Sequence, residues 1–458
     1  MLLNSHLPML SIRPLIVRQS FQRGVSRVAQ CAAFWSYFAL SCAPSGGVPQ
    51  PSVRPGGEVL LPIVIEREEV RQEIRGFGAS SAWTAPALSD ELADAFFSVE
   101  RGIGLNLLRI QIKPDGTSSE LETVDAAVAR DAEVWAAPWS PPASMKTNNS
   151  TSNGGELKEE NYSDWAESLA DFAQLMNDRG TPLLAISAQN EPDYTAEWDT
   201  CRFTPEQLAV FVGDHLVPAL AQLEHPVPVL APESANWGSL ERFSEALVDH
   251  EPALESILAF ATHGYGRIAP REQPAITEVN GEIWQTEVSD PEQDTPDDGM
   301  ASAQRVARMI HADLTVGQVS AWHYWWLLPR GDVDDTNAGL ANKNFELTRR
   351  AYALGHFSKF VRPGYVRLEA TTSPAYLTFS SAFESPRGDE IIVVISSDRS
   401  LELVQEIHVP GSEILSAEMW VTDAERELVP LESVSGSAEA VTVVIPPKSI
   451  VTVILSLT

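Results

Sequence analysis

Between Asp164 and Tyr194 the chain reads DWAESLADFAQLMNDRGTPLLAISAQNEPDY, and two different periods follow one another within it. Trp165, Leu169, Phe172 and Met176 recur at three- and four-residue spacing, which marks one apolar face of a helix over Asp164 to Asp178. Leu183 to Gln189 is a short apolar run of strand length that gives way to Asn190, Glu191, Pro192, Asp193 and Tyr194. A helix followed by a buried strand is the repeating half of a parallel βα architecture. The same kind of run recurs at Ile74 to Ala79, Leu105 to Ile112, Val134 to Pro138, Val227 to Ala231, Leu258 to His263, Glu282 to Thr286 and Val319 to Trp325, with helical patterns between. Eight such units in roughly 290 residues fit a closed (β/α)8 TIM barrel, an α/β fold. A doubly wound open sheet is the alternative, but no Gly-rich phosphate loop follows any run.

Outward from the barrel the texture changes. After Pro363, segments such as Tyr365-Val-Arg-Leu-Glu-Ala, Glu390-Ile-Ile-Val-Val-Ile and Val441-Thr-Val-Val-Ile alternate at period two, as half-buried strands do. Val59 to Ile65 also reads as a strand and is expected to join that C-terminal sheet, making an all-β domain discontinuous in sequence. The expected division is a barrel over 71–361 and this all-β domain from 59–70 plus 362–458.

Upstream, Arg13, Arg18, Arg23 and Arg27 precede the apolar stretch Val28 to Leu40, which is too short to span a bilayer and suits a signal peptide over 1–42. The lead-in is long for a signal, which suggests a start codon downstream of Met1. Ala39-Leu40-Ser41-Cys42 resembles a bacterial lipoprotein cleavage box, so the expectation is export from a bacterium, either to the extracellular space or to a lipid anchor on Cys42 at the cell envelope. Ala43 to Glu58 is rich in Pro, Gly and Ser and is expected to be an unstructured linker. The 63 acidic against 32 basic residues, formally -31, would repel nucleic acid and favour a neutral partner. Cys31, Cys42 and Cys201 cannot make a disulfide framework, and Cys201 reads as a buried free thiol. No CxxC or H-E-x-x-H spacing occurs, so no metal or cofactor is expected.

In a βα barrel the chemistry lies where strands end. The fourth run ends at Asn190-Glu191 and the seventh at Trp284-Gln285-Thr286-Glu287, which puts two carboxylates across one cleft. Hydrolysing an acetal between sugars needs one carboxyl to protonate the departing oxygen and another to meet the cationic carbon. A separation of about 5 Å gives retention of configuration, and roughly 6.5–9.5 Å gives inversion. Glu191 is the candidate general acid/base and Glu287 the candidate nucleophile. Arg109, ending the second run, could hold Glu287 ionised, and Asn190 could hydrogen-bond the neighbouring sugar hydroxyl. Trp83, Trp139 and the cluster Trp322-His323-Tyr324-Trp325-Trp326 supply aromatic faces, while His263 and Tyr265 are candidates to line the cleft.

These residues resemble family-30 glycoside hydrolases, of the clan that carries acid/base and nucleophile on barrel strands four and seven. The carriers are Ile74-Arg75-Gly76-Phe77-Gly78, Leu108-Arg109-Ile110, Pro138-Trp139-Ser140-Pro141-Pro142, Gln189 to Tyr194, His263-Gly264-Tyr265, Trp284 to Glu287, and the string Gly355 to Tyr365. The resemblance runs from Arg75 to the C-terminus and implies a barrel fused to a side β-sandwich, with retaining chemistry on a polysaccharide or oligosaccharide. Within the family it is nearest to the bacterial xylanases, which implies that Trp83, Trp139, Tyr194, Tyr265 and Trp326 contact the glycan. Many of those enzymes grip a glucuronate branch with tyrosines and an arginine. Here Arg330 aligns with the arginine, but Ser289 and Asp332 replace tyrosines, which implies a relaxed or absent uronate requirement.

Overall fold

A computed structural model of the protein describes residues 52–53, 59–84, 87–329, 336–434 and 438–458. The signal-like segment, Cys42, Arg330 and Asp332 lie outside the described residues.

All eight runs form strands. Gly76–Ser80, Leu107–Ile112, Glu133–Pro138, Leu183–Ser187, Val229–Ser234, Ile257–His263, Ile283–Glu287 and Ala321–Trp326 close into one parallel barrel, the last pairing with the first through Ala321↔Gly76 and Trp322↔Phe77. Alternate side chains explain why the runs read as continuously apolar. Leu108, Val134, Ile186, Val229, Phe260, Ile283 and Trp322 point outward to pack under helices, among them Tyr162–Asp178 and Met300–Thr315. Their neighbours Leu107, Trp135, Ala185, Leu230, Ala259, Ala261, Trp284 and Ala321 fill the lumen. Buried on both faces, a parallel strand shows no polar alternation. Small alanines opposite large tryptophans let the lumen pack solid. At Gly78 an added Cβ would lie 2.4 Å from the Leu107 carbonyl oxygen and 2.7 Å from the His323 ring, so the first and second strands approach there only because the side chain is absent.

The side domain is a nine-stranded sheet with a separate core that includes Ile63, Ile65, Leu368, Val393 and Val453. It curls so that Ala440–Ile445 meets Ile414–Thr422 and Val429–Val434. The N-terminal contribution is longer than expected and begins later: Ile63–Glu73 pairs antiparallel with Val366–Ala370 and parallel with Leu403–His408. Val59–Leu60 instead pairs with Ser52–Val53, inside the segment read as unstructured linker. Backbone ladder bonds join these two short strands, and Leu60 packs against the side-domain core, which composition does not reveal. Gln304, on the helix Met300–Thr315, donates to the carbonyls of Ser397 and Ser449, both at 3.1 Å, and joins the barrel to the sheet.

Candidate active site

The site grows upward from the lumen. His323 Nε2 accepts from Trp135 Nε1 at 3.0 Å and its Nδ1 lies 3.1 Å from the Gln285 carbonyl. Burial pushes this imidazole down to about 3, so it is neutral. Above it lies Arg109, fully buried, with its guanidinium carbon 5.3 Å from the Trp135 ring, 4.5 Å from Trp139 and 5.5 Å from Trp325. Nη1 donates to Glu287 Oε2, and Nη2 donates to Glu233 Oε1 at 2.7 Å and to Asn190 Oδ1 at 2.5 Å. Burial works against the guanidinium charge, but Glu233 and Glu287 outweigh it and raise its pKa.

Glu233 was not foreseen. It ends the fifth strand fully buried, takes Ser187 Oγ and Arg109 as donors, and lies 3.4 Å from His263 Nε2. Burial would raise its pKa, yet Arg109 and His263 hold it below the ordinary value. Glu233 and Glu191 share a left-handed backbone, φ 58° and 46°, and the Glu191 N–H donates to the Glu233 carbonyl at 3.0 Å. Non-glycine residues adopt that conformation at a cost and hold it where surrounding structure imposes it. The signal available in the sequence was Ala231-Pro232-Glu233 at the end of a strand run.

The two predicted carboxylates do converge. Glu191 and Glu287 are 7% and 5% exposed, so only their tips reach the cleft. One oxygen of each lies within 4.8 Å of the other and of a ring nitrogen of His263. His263 Nδ1 is 3.0 Å from Glu191 Oε1, and Tyr265 donates its hydroxyl to Glu287 Oε1 at 2.9 Å. Glu287 thus has one oxygen held by Arg109 and the other by Tyr265. Burial pushes the Glu191 carboxyl up, against the pull of His263. His263 stands at about 10: burial lowers it, but Glu287, Glu191 and Glu233 more than reverse that. A protonated imidazole between these carboxylates is a charge-assisted donor to them.

The remaining predicted residues divide. Asn190 is buried with its amide oxygen fixed by Arg109. Trp83, Trp139 and Trp325 form one aromatic wall with centroids 5.4–6.0 Å apart, and Trp326 stacks on Trp325 at 4.9 Å. Trp322 and Tyr324 face the helices and belong to the core instead. Tyr194 is exposed on the loop after the fourth strand, and Cys201 is a buried free thiol.

The family profile described as "Glycosyl hydrolase family 30 TIM-barrel domain" matches residues 120–280. The chain is 30% identical to glucuronoxylanase XynC of Bacillus subtilis (strain 168) over 398 residues, which is 84% of this chain and 90% of that protein. The solved family-30 subfamily 8 xylanase Xyn30A of Clostridium acetobutylicum superimposes with a TM-score of 0.78 and 29% identity, covering 86% of this chain and 99% of that one. A family-30 endoxylanase from Clostridium papyrosolvens C71 does so at 0.73 and 27%, covering 86% and 100%. With a closed barrel, a side sheet drawn from both chain ends and likeness over nearly the whole length of these proteins, the chain belongs to glycosyl hydrolase family 30 and is a glycoside hydrolase.

Proposed function

We propose that the protein is a retaining xylanase that cleaves β-1,4-xylan with Glu191 as general acid/base and Glu287 as nucleophile. The observation that carries this reading is the carboxyl pair, with oxygens within 4.8 Å, too close to admit an inverting water between them. In the first step a Glu287 oxygen bonds to the anomeric carbon as the bond to the leaving sugar breaks, and the Glu191 proton passes to the departing oxygen. In the second, Glu191 takes a proton from water, the water oxygen bonds to the anomeric carbon, and Glu287 leaves as a carboxylate. Arg109 and Tyr265 aim the nucleophile, His263 orients Glu191, and the Asn190 amide nitrogen faces the neighbouring sugar hydroxyl. Burial raises the Glu191 pKa, the direction a general acid needs.

Xylan is favoured by the likeness to glucuronoxylanase XynC and to the two clostridial xylanases. In this reading the Trp83, Trp139, Tyr194 and Trp326 rings contact the glycan. The uronate requirement is relaxed, since buried Ser289 offers no ring and Asp332 puts a negative charge two positions from Arg330 in the sequence. The test is hydrolysis of glucuronoxylan, linear xylan and β-1,6-glucan by wild type, Glu191→Ala and Glu287→Ala. Cleavage of both xylans, lost in either variant, is expected. Activity on β-1,6-glucan alone would move the substrate, and activity surviving both substitutions would refute the site. Hydrolysis confined to glucuronate-branched xylan and abolished by Arg330→Ala would refute the relaxed requirement. A polymeric substrate also favours export, with Cys42 as the lipid-bearing residue. A native amino terminus beyond Cys42 without acyl mass would remove the anchor.

A further inference from the structure

The loop that leaves Glu191 carries an exposed aromatic pair. Tyr194 and Trp198 are 46% and 49% exposed, with ring centroids 6.5 Å apart and planes inclined by 38°. The backbone beneath them is tied at many points. Tyr194 N–H donates to the Glu191 carbonyl and Phe203 N–H to that of Pro192, both at 3.0 Å, while Asp193 Oδ1 accepts from Ala235 N at 2.9 Å. The loop after the third strand is knitted to it: Asn153 N–H donates to the Ala196 carbonyl at 2.8 Å, Thr200 N–H to that of Thr151 at 2.9 Å, and Ser152 bridges Asp199. Lys146, fully buried, donates to the carbonyls of Thr151 and Thr200 and so joins the two loops from below. Large rings kept in water on a backbone this constrained are preorganised for a ligand, at little ordering cost when it binds.

The direction of that ligand follows from the chemistry. The general acid must lie beside the departing oxygen, so the leaving-side sugars occupy the Glu191 side of the cleft. We propose that Trp198 extends Tyr194 into a stacking platform for the leaving-side sugars of a β-linked chain that continues past the cleft. This rests on the assignment of Glu191 as the acid. Tyr194 is expected on the glycan from the family resemblance; Trp198 is the added subsite.

The test compares wild type, Trp198→Ala and Trp198→Phe on linear xylo-oligosaccharides of increasing length labelled at the reducing end. In Trp198→Ala the ratio of kcat/KM for long over short chains is expected to fall about tenfold, in KM more than kcat, and labelled products should become shorter. Trp198→Phe should recover most of that ratio. A merely structural role would depress all lengths alike. An unchanged ratio and product pattern overturns the proposal. Should the wild type ignore xylan and cleave β-1,6-glucan, the substrate assignment fails separately, and the same length series on that glucan decides the platform.

Discussion

His263 titrates near 10 in the fold against an ordinary 6.5, with Nδ1 on Glu191 and Nε2 on Glu233. A raised folded pKa contributes stability that is fully present below pH 6.5 and lost as pH rises toward 10. At about 1.4 kcal/mol per pH unit, that contribution is on the order of 5 kcal/mol. Glu191, raised chiefly by burial, adds a slope of the same sign above its ordinary 4.5. Glu233 acts at the other end, because its depressed pKa gives stability that is lost as pH falls below 4.5. In His263→Gln the imidazolium contribution disappears while one hydrogen-bond donor remains. Urea midpoints of both proteins between pH 6 and 10 measure it together with the response of the carboxylates it touches, and titrations away from the site cancel in the difference. The wild-type stability should fall more steeply with pH, by up to about 1.4 kcal/mol per unit, so that the two proteins converge toward pH 10. Parallel profiles would refute the buried imidazolium and with it the charge balance assigned to the site.

Removing that positive neighbour should also raise the Glu191 pKa, so the alkaline limb of kcat/KM moves to higher pH in His263→Gln; an unmoved or lowered limb contradicts the coupling. Arg109→Met leaves Glu233 and Glu287 without their shared cation, and is expected to cost about 3–5 kcal/mol of stability in denaturant titration and at least about 100-fold in kcat/KM. Tyr265→Phe removes one donor to Glu287 and should lower kcat by about tenfold with roughly 1 kcal/mol lost in stability, read from initial rates and melting. Burial pushes the Cys201 thiol up to about 12, so iodoacetamide should label Cys201 only after denaturation, as peptide masses would reveal.

The barrel was legible because parallel strands buried on both faces leave short apolar runs, and every one of the eight became a strand. Glu191 and Glu287 were legible because each ends such a run. Glu233 was not: Pro232 looked like the end of the fifth run, whereas the strand continues to Ser234. Its partners Arg109 and His263 lie 124 and 30 residues away, and only the closed barrel brings them within reach. The pairing of Ser52–Val53 with Val59–Leu60 escaped for a related reason, since a backbone ladder needs no particular side chains. Trp198 gave no periodic signal, because its position depends on loop-to-loop bonds.

The most direct test of the carboxyl pair is the anomeric configuration of the first product, followed by proton NMR during hydrolysis of a β-linked xylo-oligosaccharide. The pair within 4.8 Å requires the β-anomer to appear first, with the α-anomer growing only by mutarotation. An α-anomer appearing first would mean inversion and would contradict Glu287 as nucleophile.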